Sequence, residues 1–406
     1  MDKTVFKNRR ELLKARLKPN SVLILFSGHL MDMTNDEQFD FEVNKNFYYF
    51  TGINQDNVAF VIDARDNKEY LYIEENDPIK VKWVGAKLYP EQACEISGIE
   101  TIKFLPELLK DVDESYVNAK AIYLDLEKKD LVLFNTEALE LEKYIHQRTE
   151  ILNVYNDCIF LRKTKEEAEI KLIQESIDCT KDALEVVLNN LHPGMYEYQI
   201  EAVFDKEIKC NGQRDHAFKT ICAAGLNATI LHYTANNSMI NDGDLVLFDL
   251  GCRTEFYVSD ISRTYPANGK FSPRQREIYE IVLETNKKCI EFLHDGVSFK
   301  EYNDYCNSLL IAGLKRIGKI TEDSELKNYY WHSVGHPTGL DTHDPCPRNE
   351  LIVSGMIMTV EPGLYFEDEG IGVRIEDNVL ITKDGTINLS EGIIKEIDDI
   401  ENFMKK

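Results

Sequence analysis

Two pairs of carboxylates, each set to face itself across a hairpin, constrain this chain more than any other feature. The first lies in Asp244-Leu-Val-Leu-Phe-Asp249-Leu-Gly-Cys-Arg-Thr-Glu-Phe-Tyr-Val-Ser-Asp260. An apolar strand runs into Asp249, a turn region around Gly251 follows, and an alternating strand returns through Phe256 and Val258. Folded symmetrically about Thr254–Glu255, this hairpin sets Asp249 opposite Asp260. Directly opposed side chains on antiparallel strands sit about 4.5–5.5 Å apart, and like charges there are destabilising. The second pair repeats the arrangement. Thr359-Val-Glu361-Pro-Gly-Leu-Tyr-Phe leads to the turn Glu367-Asp-Glu-Gly370, and Ile371-Gly-Val-Arg-Ile-Glu376 returns, setting Glu361 opposite Glu376. No lysine is near in sequence to offset either repulsion. Bound divalent cations would do so.

The acidity of the whole chain limits its partners. A formal charge of −24 over 406 residues argues against nucleic acid or an anionic membrane, both of which call for basic patches. With 43% hydrophobic residues the chain is long enough for two domains with substantial cores. Nine cysteines (Cys94, Cys158, Cys179, Cys210, Cys222, Cys252, Cys289, Cys306 and Cys346) are scattered, odd in number and free of any C-x-x-C pair. That usage fits reduced thiols in a cytosol. The charged stretch Met1 to Pro19 resembles no signal peptide, and no apolar run reaches about 18 residues. A cytoplasmic protein is expected.

Up to about residue 160, strand-like and helix-like segments alternate. Ser21–Phe26, Asn57–Ile62, Glu69–Ile73 and Ala121–Asp125 read as strands, with helices over Pro106–Leu109 and Asp130–Ile145. An α/β scaffold without chemistry of its own is expected there. The texture changes at Leu161-Arg-Lys-Thr164. Thr164-Lys-Glu-Glu167 has capping-box spacing, Ile170 to Leu191 recur with helical period, and a second helix spans about Glu197 to Cys210. The first carboxylate hairpin follows. The same order then recurs: Ser272-Pro273 opens a helix, Ser298-x-x-Glu301 opens another, and the second carboxylate hairpin closes the unit. His232 precedes Asp249 by 17 residues and His343 precedes Glu361 by 18. Residues from about 162 to 390 therefore read as a duplicated α-α-β-β unit whose two hairpins meet around one site.

Three of the nine histidines fall within Trp331-His332-Ser-Val-Gly-His336-Pro-Thr-Gly-Leu-Asp-Thr-His343-Asp344. The i,i+4 pair His332 and His336 lacks the glutamate of H-E-x-x-H, and Gly335, Pro337 and Gly339 disfavour a helix. In an extended chain both can still look into one cleft. Each residue alone has an ordinary reading, a core histidine or an Glu-Pro-Gly turn. Together, His332-x-x-x-His336-x-x-Gly339-Leu-Asp-x-His343-Asp, Val360-Glu361-Pro-Gly-Leu-Tyr and Gly372-Val-Arg-Ile-Glu376-Asp resemble the pita-bread metallopeptidases, specifically aminopeptidase P and prolidase. Leu231-His232-Tyr and the first hairpin belong to the same pattern. Phe47-Tyr-Tyr-Phe-Thr-Gly52 and Trp83-x-Gly85 resemble the domain that precedes the catalytic one in that family.

The resemblance covers nearly the whole chain. It implies an α/β N-terminal domain over residues 1–160 and an α+β pita-bread catalytic domain over 161–406. It also implies a dinuclear centre: Asp249 on one metal, His336 and Glu361 on the other, Asp260 and Glu376 bridging. Four carboxylates with one imidazole suit Mn²⁺ first, with Co²⁺ or Fe²⁺ as alternatives. The implied reaction is attack of a metal-bridged hydroxide on a peptide carbonyl beside proline. Glu361 would be the general base, His343 and His332 would hydrogen-bond the carbonyl oxygen, and His232 would contact the scissile amide. Arg374 would orient the carboxylates or touch substrate, and Tyr365 and Tyr330 are candidate walls of a proline pocket. Proline-containing peptides are the implied partners, and a homo-oligomer, dimer or tetramer, is expected.

Two departures from the family pattern bear on substrate choice. Glu350 stands where the family usually has an arginine, with Arg348 two residues away, and Glu42 stands where relatives often have arginine. A glutamate at position 350 would repel the free carboxylate of a dipeptide. Release of the first residue from Xaa-Pro peptides is therefore the first reading and an Xaa-Pro dipeptidase the second. A metal-free interaction module of the same fold is a third, against which the intact ligand set counts. A non-peptide C–N hydrolase of the creatinase type shares the fold but usually not this full metal set.

Overall fold

The apolar runs of the first 160 residues pair into one mixed sheet. In the computed structural model, which describes residues 1–127, 136–347 and 350–405, the chain divides into two units, Met1–Arg162 and Lys163–Lys406. The first unit holds β1 (Ser21–Phe26), β2 (Ala59–Asp63), β3 (Lys68–Ile73), β4 (Ile102–Phe104), β5 (Ala121–Leu124) and β6 (Glu150–Asn153), in the order β4-β3-β2-β1-β5-β6. The pairs β1–β2 and β2–β3 are antiparallel, whereas β3–β4, β1–β5 and β5–β6 are parallel. The four inner strands are the runs legible in the sequence. The two edge strands are not, because each is only three or four residues long.

Val22, Ile24, Val61, Tyr72, Ile122 and Leu124 bury one face of the sheet against helices that include Leu105–Glu114 and Thr136–Ile145. The expected helix over Asp130–Ile145 is thus described from Thr136 onward; its first residues lie outside the described ones. Helix Lys3–Lys14 buries Arg10, whose guanidinium donates to the carbonyls of Phe50 and Ser97, both at 2.9 Å, and to Glu69. This pins the short helix Lys45–Thr51, which Asn44 caps and Gly52 ends at φ 69°. Glu42 pairs with Lys45 at the surface.

The second unit repeats one plan. Helices Glu167–Asn190 and Glu197–Cys210 precede β7 (Ile221–Ala224), β8 (Leu245–Leu250), the short hairpin β9 (Arg253–Thr254) and β10 (Tyr257–Val258), and β11 (Ile261–Pro266). Helices Pro273–Phe292 and Phe299–Arg316 precede β12 (Ile357–Val360), β13 (Gly363–Phe366), β14 (Ile371–Arg374), β15 (Asp377–Thr382) and β16 (Gly385–Asn388). The sheets run β11-β8-β7 and β12-β15-β16, with β13–β14 as a separate ribbon. Both later helices start where the sequence places them: Ser298 exchanges backbone N–H bonds with Glu301, and Ser272, read as the cap before Pro273, does the same with Gln275.

The first helix of the unit starts later than its sequence signal. Its box is Glu166 with Glu169, whose carboxylate accepts the Glu166 N–H at 2.9 Å, rather than Thr164 with Glu167. The backbone N–H of Lys165 is committed to the carbonyl of Gly355 at 2.7 Å, which keeps the chain extended there. The two halves join at their carboxylate-bearing strands. Asn378 bonds both backbone groups of Asp260, at 3.0 and 2.9 Å, and the Glu376 N–H donates to Ser262 O at 2.9 Å.

Candidate metal centre

The first hairpin folds on a two-residue turn at Glu255–Phe256, both with positive φ (47° and 70°), the type I′ geometry that suits a twisted ribbon. This centres the hairpin one residue later than symmetry about Thr254–Glu255 would. Asp249 therefore pairs with Ser262 rather than Asp260. Asp260 lies two residues before Ser262, a diagonal neighbour on the same face, which eases the like-charge contact without removing it. The second hairpin has the register read from sequence. Val360 pairs with Asp377 and Gly363 with Arg374, so Glu361 and Glu376 face each other in the gap between.

His336 reaches the acids because its irregular segment runs as a third backbone beside β12. Glu361 N–H donates to Val334 O, Thr359 N–H to His336 O, and Thr338 N–H to Ile357 O, at 2.8–3.0 Å. Gly335 sits so close to this strand that a Cβ on it would lie 2.0 Å from Thr359 O, so no other residue fits. His336 Nδ1 bonds Pro337 O at 3.0 Å, which turns Nε2 toward Asp260 Oδ2 at 3.4 Å and Glu361 Oε1 at 3.6 Å. Donor atoms of Asp260, His336 and Glu376 all lie within 4.8 Å of one another.

Buried carboxyls dominate the electrostatics of the site. Burial pushes the Asp249 carboxyl up despite Arg374. Burial also carries Glu361 to about 7, opposed by His336 and Arg374. Glu376 is driven well above the carboxylate range by burial, Asp260 and Glu361. Burial disfavours the His336 imidazolium, but Asp260 and Glu361 outweigh it and raise its pKa to about 9. Asp249 has one oxygen to spare: Oδ2 accepts from Arg374 at 2.7 Å, whereas Oδ1 is buried without a hydrogen-bond partner. An orphaned carboxylate oxygen beside three oxygen-and-nitrogen donors is what a hard divalent cation would occupy.

A buried relay supports the acids. Arg374 Nε donates to Ser262 Oγ at 2.7 Å, and Ser262 Oγ donates to Glu376 Oε2 at 2.8 Å. Arg374 Nη1 donates to Tyr365 OH at 3.1 Å, and Tyr365 OH lies 2.9 Å from His332 Nε2. No motif marks Ser262 in the sequence, although its place two residues after Asp260 on one strand face is a signal. Tyr365 is 1% exposed and stands behind His332 and Arg374, not on the cavity wall as expected, because its hydroxyl is consumed by those two residues. Tyr330 is likewise buried, near Cys306.

The other histidines divide into two kinds. His332 has both nitrogens committed: Nδ1 donates to Ser333 O at 2.8 Å, so Nε2 accepts from Tyr365. Burial and Arg374 lower its pKa to about 3. His343 stacks on His336 with centroids 3.7 Å apart, and burial with His336 lowers its pKa to about 4. Among the described residues, neither His343 nor His232 has a hydrogen-bond partner, and both line a cavity of about 420 Å³ with the five candidate ligands, His332 and Arg374. Phe218, Lys219, Ile221 and Leu231 complete it from the first half. Glu350 does not line this cavity; it pairs with Lys163. Arg348 lies outside the described residues.

Metallopeptidase family M24 matches residues 171–383, and the aminopeptidase P N-terminal domain matches residues 6–123. The chain belongs to family M24. A Haemophilus influenzae Xaa-Pro aminopeptidase is 33% identical over an alignment covering 100% of this chain and 98% of that one. A solved Bacillus anthracis chain, provisionally assigned as an aminopeptidase P, superposes with a TM-score of 0.97 at 43% identity, covering 100% and 98%. Aminopeptidase P from Escherichia coli, solved with the inhibitor Pro-Leu, superposes at 0.91 with 29% identity and the same coverage. That enzyme has also been solved zinc-substituted with product.

Proposed function

We propose that the unit from Lys163 onward releases the first residue of peptides with proline in second position, as a metal-dependent Xaa-Pro aminopeptidase. The first unit is its scaffold. The observation that carries this reading is the convergence of Asp249, Asp260, His336, Glu361 and Glu376 on one cavity beside two unpartnered imidazoles. Asp249 would hold one divalent cation, His336 and Glu361 the other, with Asp260 and Glu376 bridging. Bound there, the ions supply a water of lowered pKa and a Lewis acid for the scissile carbonyl. Oxygen-rich ligation with a single imidazole favours Mn²⁺.

The chain's own residues complete the reaction. Glu361 accepts the proton of the attacking water and delivers it to the departing proline nitrogen. His343 aims a free N–H at the carbonyl oxygen as charge develops there, and His232 meets the scissile amide from the other side. His332 cannot donate in the same way, since both nitrogens are used; it shapes the wall and is held by Tyr365. A proline amide has no N–H to dock as a strand would, so its ring needs an apolar surface, which Phe218, Ile221 and Leu231 provide.

The objection to dipeptides drawn from Glu350 falls, because Lys163 neutralises that carboxylate outside the cavity. A cytoplasmic location is supported by nine free cysteines, and no described helix is long and apolar enough to cross a membrane. Self-association is supported by the exposed Ile79, Trp83 and Val84 of the first unit. The test is to incubate Mn²⁺-loaded protein with Ala-Pro-Ala, Ala-Pro and Ala-Ala-Ala. Release of alanine from Ala-Pro-Ala at the highest kcat/KM is expected. No release with Mn²⁺, Co²⁺ or Zn²⁺ rejects the reading.

A further inference from the structure

Lys219 lines the metal cavity and has no part in the reaction set out above. Its place is fixed by the backbone on both sides. The Ala217 N–H donates to Gly251 O at 2.9 Å, and Thr220 O accepts from Asn236 Nδ2 at 2.8 Å. Two residues on, Ile221 pairs across the sheet with Asp249. Lys219 lies two residues before this strand and lines the same cavity as Asp249.

The charge around it is unusual for so acidic a protein. The cavity is lined by four carboxylates, which two divalent ions would neutralise, and by two side-chain cations, Arg374 and Lys219. Arg374 is consumed by Asp249, Ser262 and Tyr365. Lys219 is exposed, and among the described residues no carboxylate holds it. With metal offsetting the carboxylates, the cavity would keep one ammonium in its lining, on a flexible stem with three donors.

We propose that Lys219 is a specificity-determining residue that draws a substrate carboxylate to this rim. The inference rests on the Xaa-Pro peptidase reading of the site. The carboxylate has two possible sources, the C-terminus of a short peptide or an acidic side chain on the first residue. Two substrate pairs separate them: Ala-Pro-Ala against its C-terminal amide, and Glu-Pro-Ala-amide against Gln-Pro-Ala-amide. Each is run with Mn²⁺-loaded wild type, Lys219→Met and Lys219→Arg.

Wild type should favour the carboxylate member of at least one pair by about two- to fivefold in kcat/KM, the range for an ion pair at a hydrated edge. The difference should appear in KM and shrink in 0.5 M NaCl. Lys219→Met should abolish that preference, and Lys219→Arg should retain it. A preference in the first pair assigns the C-terminus, and one in the second assigns the side chain. Wild-type ratios near one in both pairs, or ratios unchanged in Lys219→Met, overturn the proposal while leaving the peptidase reading intact. Failure of wild type to cleave any of the four peptides overturns both.

Discussion

Replacing His343 and His332 separately should give two different defects. His343 lines the cavity, stacks on His336 and offers a free nitrogen among the described residues. Removing one donor aimed at a developing oxyanion typically costs about 10²–10³ in kcat, or about 2.7–4 kcal/mol. His343→Ala should therefore lose that much kcat on Ala-Pro-Ala while keeping its metal content and thermal stability. His332→Ala removes the acceptor of a Tyr365 hydroxyl that is 1% exposed and the ring that packs edge-on against Tyr330 at 4.5 Å. A buried polar group left unsatisfied costs about 1–3 kcal/mol. For a domain of roughly 150–250 residues that is about 2–12 °C in Tm. Steady-state kinetics at saturating Mn²⁺, elemental metal analysis and thermal melts of both variants test this together. Retention of more than a tenth of wild-type kcat by His343→Ala would refute the oxyanion role. Equal Tm losses in the two variants would refute the distinction between a free and a committed imidazole.

Three further outcomes are expected. Adding Mn²⁺ at about 100 times its Kd to chelator-treated protein should stabilise the catalytic unit by about 2.7 kcal/mol, roughly 5–11 °C in a melt, and the absence of any shift would count against the centre. Glu197 is buried and accepts bonds from Ala224 N, Asn227 Nδ2, Tyr233 OH and Ser238 N, at 2.8–3.0 Å, fixing the segment that carries Leu231 and His232. Glu197→Gln should cost about 1–3 kcal/mol and raise KM, and unchanged Tm with unchanged KM would show that the segment holds itself. At the tip of the second hairpin, the hydrogen bond from Arg274, aided by Lys319, lowers the Glu369 pKa to about 2. A depressed carboxylate contributes stability above its unfolded pKa of about 4.3 and loses it as pH falls toward 2. Wild type should thus exceed Glu369→Gln by about 1 kcal/mol or less above pH ~5, with the gap closing by pH ~2, and a pH-independent gap would exclude this linkage.

The candidate site residues, which line one cavity, are legible in the sequence because their signal is local. Alternation placed Asp249 and Asp260 on one face, the Glu361 and Glu376 strands carried their own turn, and Gly335 and Pro337 ruled out a helix through the histidines. The helix starts at Ser272 and Ser298 were equally local, since a capping box closes within four residues. The register of the first hairpin was not legible: Glu255 and Phe256 are not the usual occupants of a positive-φ turn, and only the pairing of β8 with β11 moved Asp249 opposite Ser262. The surroundings of Tyr365, Glu350 and Lys219 are set by tertiary structure alone. Whether a tyrosine forms a wall or braces a histidine depends on where its hydroxyl finds partners. Whether a charge faces substrate depends on which opposite charge lies beside it, and Lys163 meets Glu350 across 187 residues of chain. Ligand identity is a property of residue type and strand period, whereas charge compensation is a property of neighbours that only the folded chain brings together.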